Sequence, residues 1–164
     1  LQLLEDLWQL PHDPDRLRSL AARIGSDVPF FLERRPMFVQ GRGTEMELLD
    51  EAYEFPFHLV VAKPPVAMST ADAYGLVTPR SAGRPDLREL VTSNDPQRWN
   101  DELVNDFEPA VFEMYPEIAD LKRWFYRHDA AYASLTGSGT AVYGVYADAA
   151  AAEDAADDLK RRER

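Results

Sequence analysis

Two short apolar runs, Tyr132 to Leu135 and Ala141 to Tyr146, are joined by Thr136-Gly137-Ser138-Gly139-Thr140. No other stretch narrows so far what the chain can become. Each run is too short for a helix, and a glycine-containing bend between them reads as the turn of an antiparallel hairpin. Gly137 and Gly139 reach backbone angles closed to other residues and let a ligand approach the main chain. The hydroxyls of Thr136, Ser138 and Thr140 lie at the same spot, and successive N–H groups in such a turn can cradle an anion. A plain hairpin turn and an anion-binding loop are both open here. A P-loop is not, because no Gly-Lys-Ser/Thr follows, and a dinucleotide fingerprint is not, because Val142 stands where its third glycine should be.

A chain of 164 residues suffices for one ordinary domain, or one and a half small ones. A hydrophobic share of 45% permits a packed core. No apolar run approaches the ~18 residues of a membrane span, and no signal peptide is expected. The absence of cysteine excludes disulfides and thiolate metal sites and suits a cytoplasmic protein. A net charge of −11 argues against a nucleic-acid partner, since phosphate neutralisation needs clustered Lys and Arg. A phosphate ligand would need local compensation by loop amides, a few basic residues or Mg²⁺.

Leu1, Leu4, Leu7 and Trp8 have helical spacing but no capping residue ahead of them, so the chain is expected to begin inside a helix, as a fragment. Asp13-Pro14 predicts the start of a helix that stops at Gly25. Residues 36–42 and 44–49 predict a hairpin about Gly41-Arg42-Gly43. His58 to Lys63 predicts a buried strand ended by Pro64-Pro65. Ser69-Thr70-Ala71-Asp72 predicts a capped helix through Tyr74 to Val77, and Thr78 to Pro85 a loop. Helices are expected over Leu87 to Val91, from Asp95-Pro96 through Phe107, and from Pro116 to near His128. After the glycine hairpin, Asp148 should cap an alanine-rich helix closed by Lys160-Arg161-Arg162. From His58 on, this order predicts an α+β layer, an antiparallel sheet with helices on one face.

Asp27, just past the Gly25 stop, can accept a proton from a substrate hydroxyl during phosphoryl transfer, or it can be a turn or capping aspartate. Lys63 could hold a phosphate or end a strand in solvent. Tyr74 could stack on a base or fill core. Asn105-Asp106-Phe107-Glu108 reads by default as a solvated or helix-end segment. His12, His58 and His128 have no metal spacing, and no metal site is assigned.

Five segments, in this order, resemble the GHMP kinases: Gly25-Ser26-Asp27-Val28-Pro29-Phe30-Phe31; Gly41-Arg42-Gly43-Thr44-Glu45; Lys63-Pro64-Pro65 with Ser69 to Tyr74; Asn105-Asp106-Phe107-Glu108; and Thr136 to Tyr143. Within that superfamily they resemble the branch that phosphorylates a hydroxyl of a cytidine-diphosphate-linked methylerythritol with ATP and Mg²⁺, a step of non-mevalonate isoprenoid synthesis. The resemblance implies Asp27 as the catalytic carboxylate. It makes Thr136, Gly137, Ser138, Gly139 and Thr140 the loop near the transferred phosphate, and Tyr74 an aromatic packed on the cytosine. It also implies residues 1–57 as a remnant of the N-terminal domain and 58–164 as the ferredoxin-like C-terminal domain. The family's substrate-side lysine and its Pro-x-x-x-Gly-Leu-Gly-Gly-Ser phosphate loop do not occur, so the chain alone is expected to be a poor kinase. The partners expected are small molecules, with a homodimer open. Kinases of homoserine or mevalonate type and a non-catalytic ferredoxin-like binding module are the competing readings.

Overall fold

The glycine bend joins two paired strands, β4 (Tyr132–Leu135) and β5 (Val142–Tyr146), with Leu135 opposite Val142 and Tyr132 opposite Val145. The structure is a computed structural model that describes residues 1–41, 43–50, 52–78 and 83–162. The chain divides into two compact units, Leu1–Glu54 and Phe55–Arg164.

In the first unit, α1 (Gln2–Trp8) precedes α2 (Pro14–Ile24), which starts where the Asp13 carboxylate accepts the Arg16 N–H at 3.0 Å. Leu17 and Ala21, one turn apart on α2, are its buried residues. A single turn, α3 (Phe30–Glu33), follows Pro29. The expected hairpin forms from β1 (Met37–Gln40) and β2 (Glu45–Leu48), antiparallel, with Gln40 opposite Glu45. Arg42 at its turn lies outside the described residues, as do 79–82 of the loop expected between Thr78 and Pro85.

The second unit is built on the sheet order β3-β5-β4, antiparallel throughout, with β3 at His58–Ala62. One face packs on α7 (Glu108–Met114), α8 (Pro116–Arg127) and α9 (Ala149–Arg162). There Val60, Ala133, Leu135, Val142 and Tyr146 meet Val111, Ile118, Phe125, Ala152 and Ala155. Gly144 lets α8 come in close, because a Cβ at that position would lie 2.4 Å from the Phe125 ring.

Three expectations are corrected. Helices cover both faces of the sheet rather than one. On the second face α5 (Leu87–Thr92) and α6 (Pro96–Glu102) bring Leu90 and Trp99 against Tyr132 and Val145. Trp99 donates its indole N–H to the Leu90 carbonyl at 2.6 Å and packs edge-on to Tyr132. The β4 and β5 runs carry few polar residues because both faces are buried. Second, β3 is not a buried strand. It pairs on one side only, with β5, and Leu59 and Val61 are 54% and 61% exposed. Third, the helix from Pro96 ends at Glu102 instead of running through Phe107. Pro109 has no N–H to donate back to the preceding turn, so a helix cannot run through it. It sits instead in the first turn of a new helix that starts at Glu108, and 103–107 are left as a connector.

Candidate functional site

In the first unit, Asp27 lies in the turn between α2 and α3 and is exposed. Its carboxylate accepts the Ser26 hydroxyl at 3.1 Å. Its Oδ1 lies against the β1–β2 turn, 2.7 Å from where a Cβ on Gly43 would stand, and Gly43 has φ +87°. Folding thus brings Ser26 and Asp27 to Gly43, although Asp27 and Gly43 are 16 positions apart in the sequence. A carboxylate held beside bare main chain keeps its free lone pairs towards solvent, where a hydroxyl could reach them.

In the second unit, the loop 136–140 is closed by the Thr136 N–H on the Ala141 carbonyl and the Gly139 N–H on the Thr136 carbonyl, both at 2.9 Å. Gly137 and Gly139 have φ +51° and +98°, left-handed values that residues with a Cβ rarely adopt. Thr140 is only 5% exposed and donates its hydroxyl to the Val66 carbonyl at 2.9 Å, which ties the loop to the segment leading to α4 (Thr70–Leu76). Thr140 is therefore engaged in structure, while Gly137 is exposed and Ser138 half-buried.

Tyr74 lies on α4, whose N-cap forms as expected: the Ser69 Oγ accepts the Asp72 N–H at 3.0 Å and donates to the Asp72 carboxylate at 2.6 Å. Tyr74 is 66% exposed, so it is not core filling, and its ring stands edge-on to Phe107 with centroids 5.1 Å apart. Lys63 is exposed at the end of β3. It lines a hollow of about 400 Å³ with Pro64, Pro65, Trp124, Arg127 and Arg162.

Two residues read as default surface hold the glycine loop. Asn105 gives its carboxamide N–H groups to the Leu135 and Gly137 carbonyls at 2.9 and 2.8 Å, while its Oδ1 accepts the Phe107 N–H at 2.9 Å. Glu108 accepts the Leu135 N–H at 3.0 Å and the Ser134 hydroxyl at 3.1 Å, and pairs with Lys122 at 2.7 Å. The signal that could have found Asn105 is an Asx turn just ahead of a proline-started helix. Its partners are some 30 residues away and leave no local trace. Around the loop's supporting strands, burial pushes the Tyr132 and Tyr143 phenols above their ordinary value, so they stay neutral.

An exposed glycine loop and an exposed tyrosine leaning on the segment that grips the loop thus stand on one α+β layer, and residues 86–163 of it match the family "GHMP kinases C terminal". The resemblance carried by the five segments is borne out. The chain is 42% identical over 99% of its length to a 4-diphosphocytidyl-2-C-methyl-D-erythritol kinase of Salinibacter ruber and covers 59% of that protein. It is 39% identical over 94% of its length to the kinase of the same name from Chlorobium limicola, covering 55% of it. A crystal structure of 4-(cytidine 5'-diphospho)-2C-methyl-D-erythritol kinase superposes on 98% of the chain with a TM-score of 0.77 and 26% identity, and the chain covers 58% of that structure. The chain thus spans somewhat over half the length of these relatives. Among the described residues no helix is long and apolar enough to cross a membrane.

Proposed function

We propose that the protein carrying this chain transfers the γ-phosphoryl group of ATP to a hydroxyl of 4-diphosphocytidyl-2-C-methyl-D-erythritol, in the cytoplasm. The observation that carries the reading is the 42% identity, over nearly the whole chain, to a kinase named for that substrate. In the proposed reaction the substrate hydroxyl oxygen attacks the γ-phosphorus, its proton passes to the Asp27 carboxylate, and ADP leaves. Asp27 is suited to this role by its exposed carboxylate beside the bare Gly43 turn. The loop 136–140 is proposed to face the transferred phosphoryl group with main-chain and Ser138 donors, which stabilise charge as it develops. Tyr74 is proposed to pack on the cytosine ring, and its exposure leaves a face free for that. Among the described residues no three His, Asp or Glu side chains are grouped to hold a metal ion. The Mg²⁺ of the reaction is proposed to arrive with ATP.

The test is a coupled ADP-release assay of the complete gene product with ATP, Mg²⁺ and the cytidine substrate. Turnover is expected, Asp27→Asn should lower kcat by about 10² or more, and Tyr74→Ala should raise KM for the cytidine substrate. Turnover of homoserine or mevalonate in preference to it would overturn the substrate, and an unimpaired Asp27→Asn variant would overturn the mechanism. The 164-residue chain assayed by itself is expected to turn over poorly.

A further inference from the structure

The segment 103–107, expected as the end of a helix, is a connector, and the fold routes both ends of the proposed substrate site through it. A closed circuit of contacts can be followed. The Tyr74 ring leans on Phe107, and the Phe107 N–H is held by the Asn105 Oδ1. The Asn105 amide nitrogen holds the Leu135 and Gly137 carbonyls, and the loop's far side, Thr140, is bound to Val66. Val66 then leads through the Ser69 cap back to Tyr74 on α4.

Asn105 is the joint of this circuit, and its chemistry leaves little choice of residue. A carboxamide offers two N–H donors and one carbonyl acceptor in one plane, and here both donors meet carbonyls while the acceptor meets an N–H. The reversed amide would set an oxygen against two oxygens, and an aspartate would set a negative charge there. Asn105 is half-buried, so water competes poorly for these partners.

We propose that Asn105 and Phe107 are positioning residues that fix the distance between the glycine loop and the Tyr74 ring, and so match the site to a ligand carrying an aromatic base at one end and phosphate at the other. The proposal rests on the kinase reading for what the two ends bind, and on the contacts alone for the circuit.

The two halves are tested separately. In the complete gene product, Asn105→Ala should lower kcat by about 10- to 100-fold, since both loop carbonyls lose their donor, with a smaller rise in KM than Phe107→Leu gives, since the Tyr74–Phe107 ring contact itself remains. Phe107→Leu should do the reverse, raising KM about fivefold with kcat nearly unchanged. Asn105→Asp should be worse than Asn105→Ala. Thermal melts of each variant separate this split from simple loss of fold. A common fall in kcat and rise in KM that tracks the melting temperature would overturn the positioning role.

A second arm needs no turnover: amide hydrogen exchange at residues 137–139 of the 164-residue chain. Exchange should quicken about tenfold in Asn105→Ala and stay as it is in Phe107→Leu. If the unaltered gene product turns over no cytidine substrate, the kinase reading falls, and the exchange arm alone decides the circuit. Unchanged exchange in Asn105→Ala would overturn it.

Discussion

The Asp27 carboxylate and Gly43 touch so closely that no side chain fits between them: a Cβ on Gly43 would lie 2.7 Å from Oδ1. Gly43 also has φ +87°, where any side chain is strained. Gly43→Ala should therefore destabilise by about 1–3 kcal/mol and swing the Asp27 carboxylate out of place. A thermal melt reads the first effect. A fall in turnover of the complete gene product approaching that of Asp27→Asn reads the second. A Gly43→Ala variant with unchanged stability and turnover would remove Gly43 from any part in holding Asp27.

Gly144 plays the corresponding part in the core. Phe125 is fully buried on α8, and a Cβ at position 144 would stand 2.4 Å from its ring. Gly144→Ala is expected to destabilise by about 1–3 kcal/mol through overpacking, and Phe125→Leu in the same chain should recover part of that. Urea denaturation of the two single variants and the double variant measures the coupling. Strict additivity would show that the two residues do not compete for space.

Glu108 links α7 to the strand before the glycine loop. It is paired with Lys122, and the two side chains are 13% and 22% exposed. Glu108→Ala strands the Lys122 ammonium and the Leu135 N–H together, and should cost about 2–4 kcal/mol of stability. Lys122→Met added to Glu108→Ala should restore part of it, because the unpaired charge is then gone. Chemical denaturation checks both.

Tyr146 is fully buried, and among the described residues its hydroxyl has no hydrogen-bond partner. Burial first, and the charge of Asp129 second, push its phenol up to about 12. The sign follows from the neutral form being favoured in the fold. Below about pH 10 both folded and unfolded phenols are neutral and nothing is lost. As the pH rises from 10 towards 12 the unfolded phenol ionises first and stability falls. Tyr132 and Tyr143 shift the same way and steepen the fall. Tyr146→Phe should flatten the melting-temperature profile over that window and leave neutral-pH stability equal or slightly higher. A marked loss at neutral pH would mean the hydroxyl is satisfied.

Nearly every element was legible where its signal is local. Asp13-Pro14 and Gly25 bound α2, Ser69 and Asp72 start α4, and Pro116 starts α8, because caps and prolines act on backbone groups within one turn. The α6 helix was read five residues too long because apolar spacing at Leu103 and Phe107 suggested another turn. Those two side chains serve two clusters instead, Leu103 with Trp99 and Phe107 with the core beneath the sheet. Among the site residues, Asp27, Tyr74 and the glycine loop were singled out by residue type and order. For Asn105 and Glu108 the motif is legible but the partners are not, since a polar residue looks alike whether it bonds water or a main-chain group some 30 positions away.

By itself the sequence determined the hairpins, the capped helices, the α+β class and the order of motifs that resembles a GHMP kinase. These rest on dihedral preferences, capping and short-range periodicity, all confined to a few neighbouring residues. Only the tertiary structure decided that the sheet is covered on both faces, that Gly144 is where a helix must come in, that Asp27 rests on Gly43, and that Asn105 grips the loop. Each of these joins chain segments whose approach is set by the packing of the whole core, and no local preference encodes a distance to a partner that only folding brings near.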